Sequence, residues 1–572
     1  MADIVSGDLQ IVLSTAPKRW TALDTAPRQR PSRRDDAREN GFASKGECIA
    51  GERPMSARIS DRPAGSQESV FRFLADPKTH GLSEPVARVD TAGAVVFLAG
   101  PDAYKVKRAV KFPFMDLSTL DKRRLACEAE IAVNRASAPG VYLAAMPITR
   151  SGETFAIGGE GEIVEWVTHM RRFDENATLD RVATRDSLSN ETIDRLTLAI
   201  RRSHTRAPLR DAARCAHALE TYIEQNDAAF AERPDLFDAA KARRLAVDSR
   251  LAFAMARPIL LRRGESGFTR RCHGDLHLGN IVMLNGEPTL FDALEFSDDV
   301  ASGDVLYDLA FLLMDLEERG LRPVANRLFN RYLAPEPPES MAGLAALPLF
   351  LSLRAAIRAK VKAAGAERLE GAERDEARRL VRGYFDCAIE SLRYAPPRLI
   401  AVGGLSGVGK SALAGALAPR LGRAPGALWL RSDLERKAMF AVEETAHLPA
   451  SAYAHEVTRA VYGRLIDKAR AALRAGQAVV LDATFATAAE RSAAAGAAAE
   501  VGVAFAGLLL DAPLATRLER IASRRYDASD ADVHVAGRQT AEPLGERGWA
   551  AVRAAGNLSE TTSLALARLS NA

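Results

Sequence analysis

The sequence predicts two folded units of different class behind a polar first segment: an α+β unit over residues 67–396 and an α/β unit, a doubly wound parallel sheet, over 397–572. Three observations carry this. A chain of 572 residues exceeds what one hydrophobic core usually serves. Between Ser69 and Pro397 short β-branched runs come first and Ala/Leu-rich helical spacing follows. From Leu399 onward strands and helices alternate, the pattern of parallel strands joined by helical crossovers.

Residues 1–66 are rich in Arg, Asp, Pro, Ser and Gly, without sustained periodicity, and are expected to be a disordered tail. Arg28, Arg30, Arg33 and Arg34 offer contacts to something acidic, although such charge runs are usually solvated; Met55 is a possible alternative start. Composition is ordinary, 47% hydrophobic and 27% charged, and a net charge of +4 gives no warrant for binding long nucleic acid. The five cysteines are scattered without CxxC spacing, and no apolar run approaches a membrane span in this reading. With no signal-like start, a reducing cytoplasm is expected.

In the first unit, VFRFLADP reads as a short amphipathic helix stopped by Pro77, and AVVFL (94–98) as a strand. After the turn Gly100-Pro101-Asp102, AYKVK returns as a second strand whose alternation puts Lys105 and Lys107 on one face. Either they reach into a cleft, or they form a solvated edge that blocks strand pairing. The helix LDKRRLACEAEIAVNRASA then offers Glu128 and Glu130. Ile163 to Val167 is another strand, followed by Met170 and Phe173, which read as core. Helical spacing fills 179–261 and resumes at 306–392.

Between those helical stretches lies Arg271–Phe296, RCHGDLHLGNIVMLNGEPTLFDALEF. Asn280 follows Asp275 by five residues, and Asp292 ends an apolar run, with Leu290 and Phe291 expected as its strand. Asn285-Gly286 marks a tight hairpin turn. Moving a γ-phosphoryl group requires an acceptor hydroxyl held in line and cations on the phosphate oxygens. Asp275 suits the hydroxyl proton, and Asn280 and Asp292 supply the hard oxygens that Mg²⁺ prefers.

HGDLHLGN followed by FDALEF resembles the catalytic and metal loops of the aminoglycoside phosphotransferase family, relatives of protein kinases. The resemblance implies a bilobal protein kinase-like fold with Asp275 as catalytic base and Asn280 and Asp292 as magnesium ligands. Ala103-x-Lys105 matches the strand lysine of such folds, so Lys105 is chosen over Lys107 for the α- and β-phosphates, and Glu130 over Glu128 as its partner. Gly303-Asp304 and Tyr307-Asp308-Leu309-Ala310 also match, as acids that brace the loop. No GxGxxG covers the phosphates, and aminoglycoside kinases commonly lack one.

In the second unit, RLIAVGGLSGVGKSALAGALA is strand, then GxxxxGK[ST], then helix, which is the context that makes the string a P-loop. Gly404, Gly407 and Gly409 let backbone N–H groups face phosphates, Lys410 reaches β/γ oxygens, and the Ser411 hydroxyl ligates Mg²⁺. Asp482, after VVL, is a Walker B-type acid or an N-cap for the next helix. Asp433 and Arg436, in SDLER, resemble the acceptor-activating acid and phosphate-holding arginine of the polynucleotide kinase and gluconate kinase group. Arg520, Arg524 and Arg525 resemble that group's mobile lid, whose arginines stabilise transferred charge.

Residues 67–572 thus resemble a fusion of an aminoglycoside phosphotransferase-like kinase with an AAA-type, gluconate kinase-like P-loop kinase. The implied reading is a bifunctional ATP-dependent kinase with two Mg-ATP sites and small-molecule hydroxyl acceptors. Two alternatives stay open. One is a nucleotide or polynucleotide kinase in the second half, the other an ATP-sensing scaffold in which a half binds without transferring. Fold does not fix the acceptor.

Overall fold

The computed structural model describes residues 67–112, 115–367, 369–523 and 529–570. The tail expected over 1–66, Arg524 and Arg525 lie outside the described residues.

Helix α1 (Gln67–Ala75) is followed by β1 (Ala87–Asp90), β2 (Ala94–Ala99) and β3 (Asp102–Lys107), a small hairpin of β4 (Lys111–Phe112) and β5 (Met115–Asp116), and helix α2 (Leu120–Asn134). Strands β6 (Tyr142–Ser151), β7 (Thr154–Ile157) and β8 (Glu162–Arg171) complete a six-stranded antiparallel sheet of order β1-β2-β3-β8-β6-β7. Val70, Phe71 and Leu74 of α1 pack with Val95, Phe97 and Val106 on one sheet face. Strand alternation puts Lys105 and Lys107 on the other, towards α2.

The second lobe is mainly helical. It runs through α3 (Leu179–Arg185), α4 (Asn190–Arg206), α5 (Ala212–Ala231) and α6 (Ala239–Glu265) to β9 (Thr269–Arg271). The hairpin β10 (Ile281–Leu284) and β11 (Glu287–Leu290) turns at Asn285 and Gly286, both at positive φ, the geometry of a type I′ turn. Strand β11 stops at Leu290, one residue short of the expected run. Strand β12 (Ser302–Asp304) pairs with β9 and leads into α7 (Val305–Glu318), α8 (Arg322–Leu333), α9 (Leu347–Ala366) and α10 (Gly371–Ser391). Of α7, twelve residues from Val305 to Leu316 are buried, as expected of a central helix.

One expectation is corrected: Pro338–Ala366 is long and apolar enough to cross a membrane by length and composition. Of an 18-residue apolar window within it 78% is buried inside the protein, and α9 packs against α7 and α10, which is the reason for its apolarity.

From Arg398 the chain forms β13 (Arg398–Gly403), α11 (Lys410–Leu417), β14 (Leu428–Arg431), α12 (Ser432–Met439), α13 (His455–Arg474) and β15 (Val479–Asp482). Then come α14 (Ala488–Val501), β16 (Ala504–Asp511), α15 (Leu514–Ala522), α16 (Val533–Arg538), β17 (Trp549–Arg553) and α17 (Leu558–Ser570). The sheet is wholly parallel, in the order β14-β15-β13-β16-β17. One cluster of buried apolar side chains runs without a break from Leu309 and Phe329 of the helical lobe to Leu428, Leu430 and Leu465 of the second unit.

Gly507 of β16 lies directly beside Trp549 of β17, and a Cβ there would stand 2.1 Å from the indole Cδ2. Gly507→Ala must therefore displace the indole, and we expect a loss of ~1–3 kcal/mol from overpacking, read as a lower denaturant midpoint at unchanged m-value.

Candidate functional site

In the first unit, β3, α2 and the hairpin end deliver charged groups to one buried point. Lys105 Nζ lies 2.6 Å from Glu130 Oε1 and 2.9 Å from Asp292 Oδ1. The other Glu130 oxygen accepts from Thr168 Oγ1 at 2.8 Å and pairs with Lys107 Nζ at 3.0 Å. Lys107 also pairs with Glu295, three residues beyond Asp292. Both lysines are buried, so the solvated-edge alternative does not describe them. Glu128, by contrast, is exposed and pairs with Arg124 on the outside of α2.

Burial alone would neutralise these groups, but the opposite charges around them reverse it. Lys105 is held well above its ordinary pKa by Asp292 and Glu130 despite burial, and Glu130 is held below its own by Lys105 and Lys107.

The loop carrying Asp275 is fixed from behind. Asp308, on the first turn of α7, accepts from Gly274 N at 2.7 Å and His273 N at 3.3 Å, and lies 3.1 Å from His204 Nε2. Asp304 grips Arg263 through both carboxylate oxygens, at 2.6 and 2.9 Å, and Asp315 accepts from Leu278 N at 3.0 Å. Gly274 sits at φ +83° where a Cβ would meet Leu294 Cδ1 at 2.9 Å, so this position admits glycine alone without rearrangement. Burial lowers the pKa of His273, whose Nε2 lies 2.9 Å from the Phe291 carbonyl and donates to it.

Asn280 Nδ2 donates to Asp275 Oδ2 at 3.0 Å. Asp275 is buried, which raises a carboxyl pKa, yet His277 beside it, with Oδ2 at 3.4 Å from Nε2, carries it well below the carboxylate range. Asp275 is therefore an anion at neutral pH. Two buried oxygens here have no hydrogen-bond partner among the described residues, Asp275 Oδ1 and Asn280 Oδ1. A buried acceptor without a donor costs ~1–3 kcal/mol and persists where a ligand satisfies it. Asn280 Oδ1 together with the Asp292 carboxylate is a hard-oxygen set that fits Mg²⁺.

A cavity of about 680 Å³ opens on the Lys105 face of the sheet, lined by Ala87, Val89 and Leu98 and closed by crossover residues Arg172 to Asn176. Its size and apolar wall suit a small organic ligand. Phe173 lines it and packs edge-on against Phe291 at 5.0 Å, which relates the cavity to the Asp292 loop.

In the second unit the glycine loop leaves β13 and enters α11. Gly404, Gly407 and Gly409 all have positive φ. A Cβ on Gly407 would stand 2.4 Å from Arg517 O, and one on Gly404 2.7 Å from Leu510 O. The loop is braced by α15: Arg517 Nε donates to Ser406 O at 2.9 Å, and Arg520 Nη1 donates to Val408 O at 3.0 Å and Ala554 O at 2.8 Å. In this conformation Arg520, expected as a lid residue, holds loop backbone. Lys410 Nζ donates to Leu405 O at 3.3 Å, folded across the loop.

Ser411 and Asp482 are brought together by a residue the sequence did not single out. Arg431 Nη2 donates to Ser411 Oγ at 3.4 Å, and its Nε lies 3.6 Å from Asp482 Oδ2. Both are oxygen donors at one end of the sheet, a set that fits Mg²⁺. Asp482 does not cap the next helix: Thr487 does, with a full capping box to Glu490. Asp433 stands in the first turn of α12, while Arg436 donates to Ala452 O at 2.6 Å and lies over the Tyr453 ring at 4.7 Å. The phosphate-holding role expected for Arg436 thus has no contact with the glycine loop here.

The fold, a kinase-like domain first and then a parallel-sheet P-loop kinase domain, and the matched family models support a phosphotransferase. Residues 165–344 match the model of the phosphotransferase enzyme family, and residues 399–544 match that of an AAA domain. An uncharacterized protein of Mycobacterium tuberculosis is 29% identical over 455 residues, 78% of this chain and 88% of that protein. Among solved structures, a gluconokinase from Sinorhizobium meliloti aligns at 22% identity over 31% of this chain and 94% of its own, with a TM-score of 0.23. A choline/ethanolamine kinase family protein from Mesorhizobium loti aligns at 17% identity over 55% and 99%, with a TM-score of 0.30.

Glu130→Ala leaves two buried lysines short of a counter-charge and should cost ~3–5 kcal/mol, whereas Glu128→Ala on the same helix should cost ~0.5 kcal/mol or less. Thermal unfolding of the two variants tests the contrast. Because the folded pKa of Glu130 lies below its ordinary 4.5, its contribution is present above that pH and is lost as pH falls below it. The gap between Glu130→Ala and the parent should therefore narrow in acid.

Proposed function

We propose that the chain is a bifunctional ATP-dependent kinase, with residues 67–396 and 397–572 each transferring a γ-phosphoryl group to a hydroxyl of a small molecule. The observation that carries this reading is the buried convergence of Lys105, Glu130 and Asp292 beside the Asp275–Asn280 pair with its two unsatisfied oxygens.

In the first half the adenine would occupy the cavity under β1 and β2, and Lys105, oriented by Glu130, would hold the α- and β-phosphates. Asp275 would accept the hydroxyl proton as the acceptor oxygen bonds to the γ-phosphorus and the bond to the β,γ-bridging oxygen breaks, releasing ADP. Asn280 and Asp292 would hold Mg²⁺ there, and Ser411 and Asp482 in the second half; when bound, the ion neutralises charge on the phosphate oxygens. In the second half the backbone of Gly404, Gly407 and Gly409 would cradle phosphates, Lys410 would leave the Leu405 carbonyl for them, and Asp433 would receive the acceptor proton. Arg524, with Arg436 and Arg520 once these two leave the contacts described, would stabilise transferred charge. Among the described residues the cysteines Cys127, Cys215, Cys272 and Cys387 are free, in keeping with a cytoplasmic location.

Labelled ATP offered with a broad metabolite pool tests this. Asp275→Ala should remove one set of labelled products by a factor of ~10²–10⁴, and Lys410→Ala should remove a different set. ATP binding by the parent protein with no labelled acceptor would replace the reading with an ATP sensor. Label on oligonucleotide 5′ ends would make the second half a polynucleotide kinase.

A further inference from the structure

Helix α8 belongs to the first half of the chain, yet it lies along the sheet of the second. Strand β14 is an edge strand there, and an edge leaves a row of backbone groups without a ladder partner. Two asparagines one helical turn apart supply that partner. Asn330 Oδ1 accepts from Trp429 N at 2.6 Å, and Asn326 and Asn330 Nδ2 both donate to Ala427 O, at 3.0 and 3.2 Å. Arg322, at the start of α8, donates to the carbonyls of Pro419 and Gly422, at 2.7 and 3.0 Å. Asn326 and Asn330 are buried.

The residue that Asn330 holds is one step from the P-loop oxygens. Trp429 Nε1 donates to Asp482 Oδ2 at 3.3 Å, and Arg431, which touches both Asp482 and Ser411, stacks over the Trp429 ring at 5.3 Å. A second link reaches α12: Lys468 Nζ donates to Ala334 O, just past α8, at 2.9 Å and pairs with Glu435, two residues from Asp433, at 2.5 Å. The buried apolar cluster is continuous across the same seam.

We propose that α8 of the first half is a working part of the second half's nucleotide site, with Asn330 as a positioning residue that sets Trp429 and, through it, the Asp482 carboxylate. The inference rests on the reading of the P-loop half as a Mg-ATP site. Residues that orient a metal ligand from outside typically shift metal affinity by ~10–100-fold when replaced. A residue that served only to glue two domains would move stability and leave the ion dependence alone.

The test uses the full chain carrying Lys105→Met and Asp292→Asn to silence the first site, with binding of a fluorescent ATP analogue titrated against MgCl₂. Asn330→Leu should raise the Mg²⁺ concentration at half-saturation by ~10-fold, and Asn326→Leu, which removes a bond to Ala427 but leaves the Asn330–Trp429 bond, should stay within about twofold. A lower Tm for Asn330→Leu with unchanged Mg²⁺ dependence would overturn the proposal, as would equal impairment of both variants. Mg²⁺-dependent binding that Lys410→Ala does not remove, before Asn330 is touched, would instead overturn the reading beneath it.

Discussion

Two ammonium groups and three carboxylates, Lys105, Lys107, Glu130, Asp292 and Glu295, meet in one network of buried ion pairs, and the first half of the chain is arranged around it. Any one alone in an apolar interior would shed its charge. Joined, they tie β3 to α2 and both to the loop after β11, so three stretches far apart in sequence are fixed by one electrostatic constraint. The backbone strain at Asp292, with φ of +59°, is tolerated in that setting, where Tyr142 and Asn134 also receive the N–H groups of Asp292 and Ala293.

Much of this was legible before any coordinates. Strand alternation placed Lys105 and Lys107 on one face, Asn285-Gly286 announced its turn, and the glycine string between a strand and a helix located the anion loop. What stayed hidden was pairing at a distance. Nothing local in AYKVK tells that Lys107 meets Glu295 188 residues later, and Arg431 reads only as a strand-end cation until the sheet sets it beside Ser411 and Asp482. Arg520 reads as a lid arginine and Arg517 is not singled out, because a helical repeat gives a side to a residue but not the loop that faces it.

The two halves place their candidate site residues with different backbones. The first gathers long side chains where a sheet meets a helical lobe, so its geometry depends on tertiary contacts such as Asp308 on Gly274. The second turns its chain through three positive-φ glycines, and side chains from α15 steady that loop. The kinase-like half is accordingly sensitive to core packing at α7, and the P-loop half to single Cβ atoms in its turn.

The asparagine pair on α8 has a bearing on how this chain can be handled. Severed after Pro397, the second half would show an uncovered strand of alternating apolar residues, Leu428 and Leu430, flanked by bare amide and carbonyl groups, the surface on which foreign strands assemble into insoluble stacks. The fusion thus keeps the edge strand of one domain covered by a helix of the other.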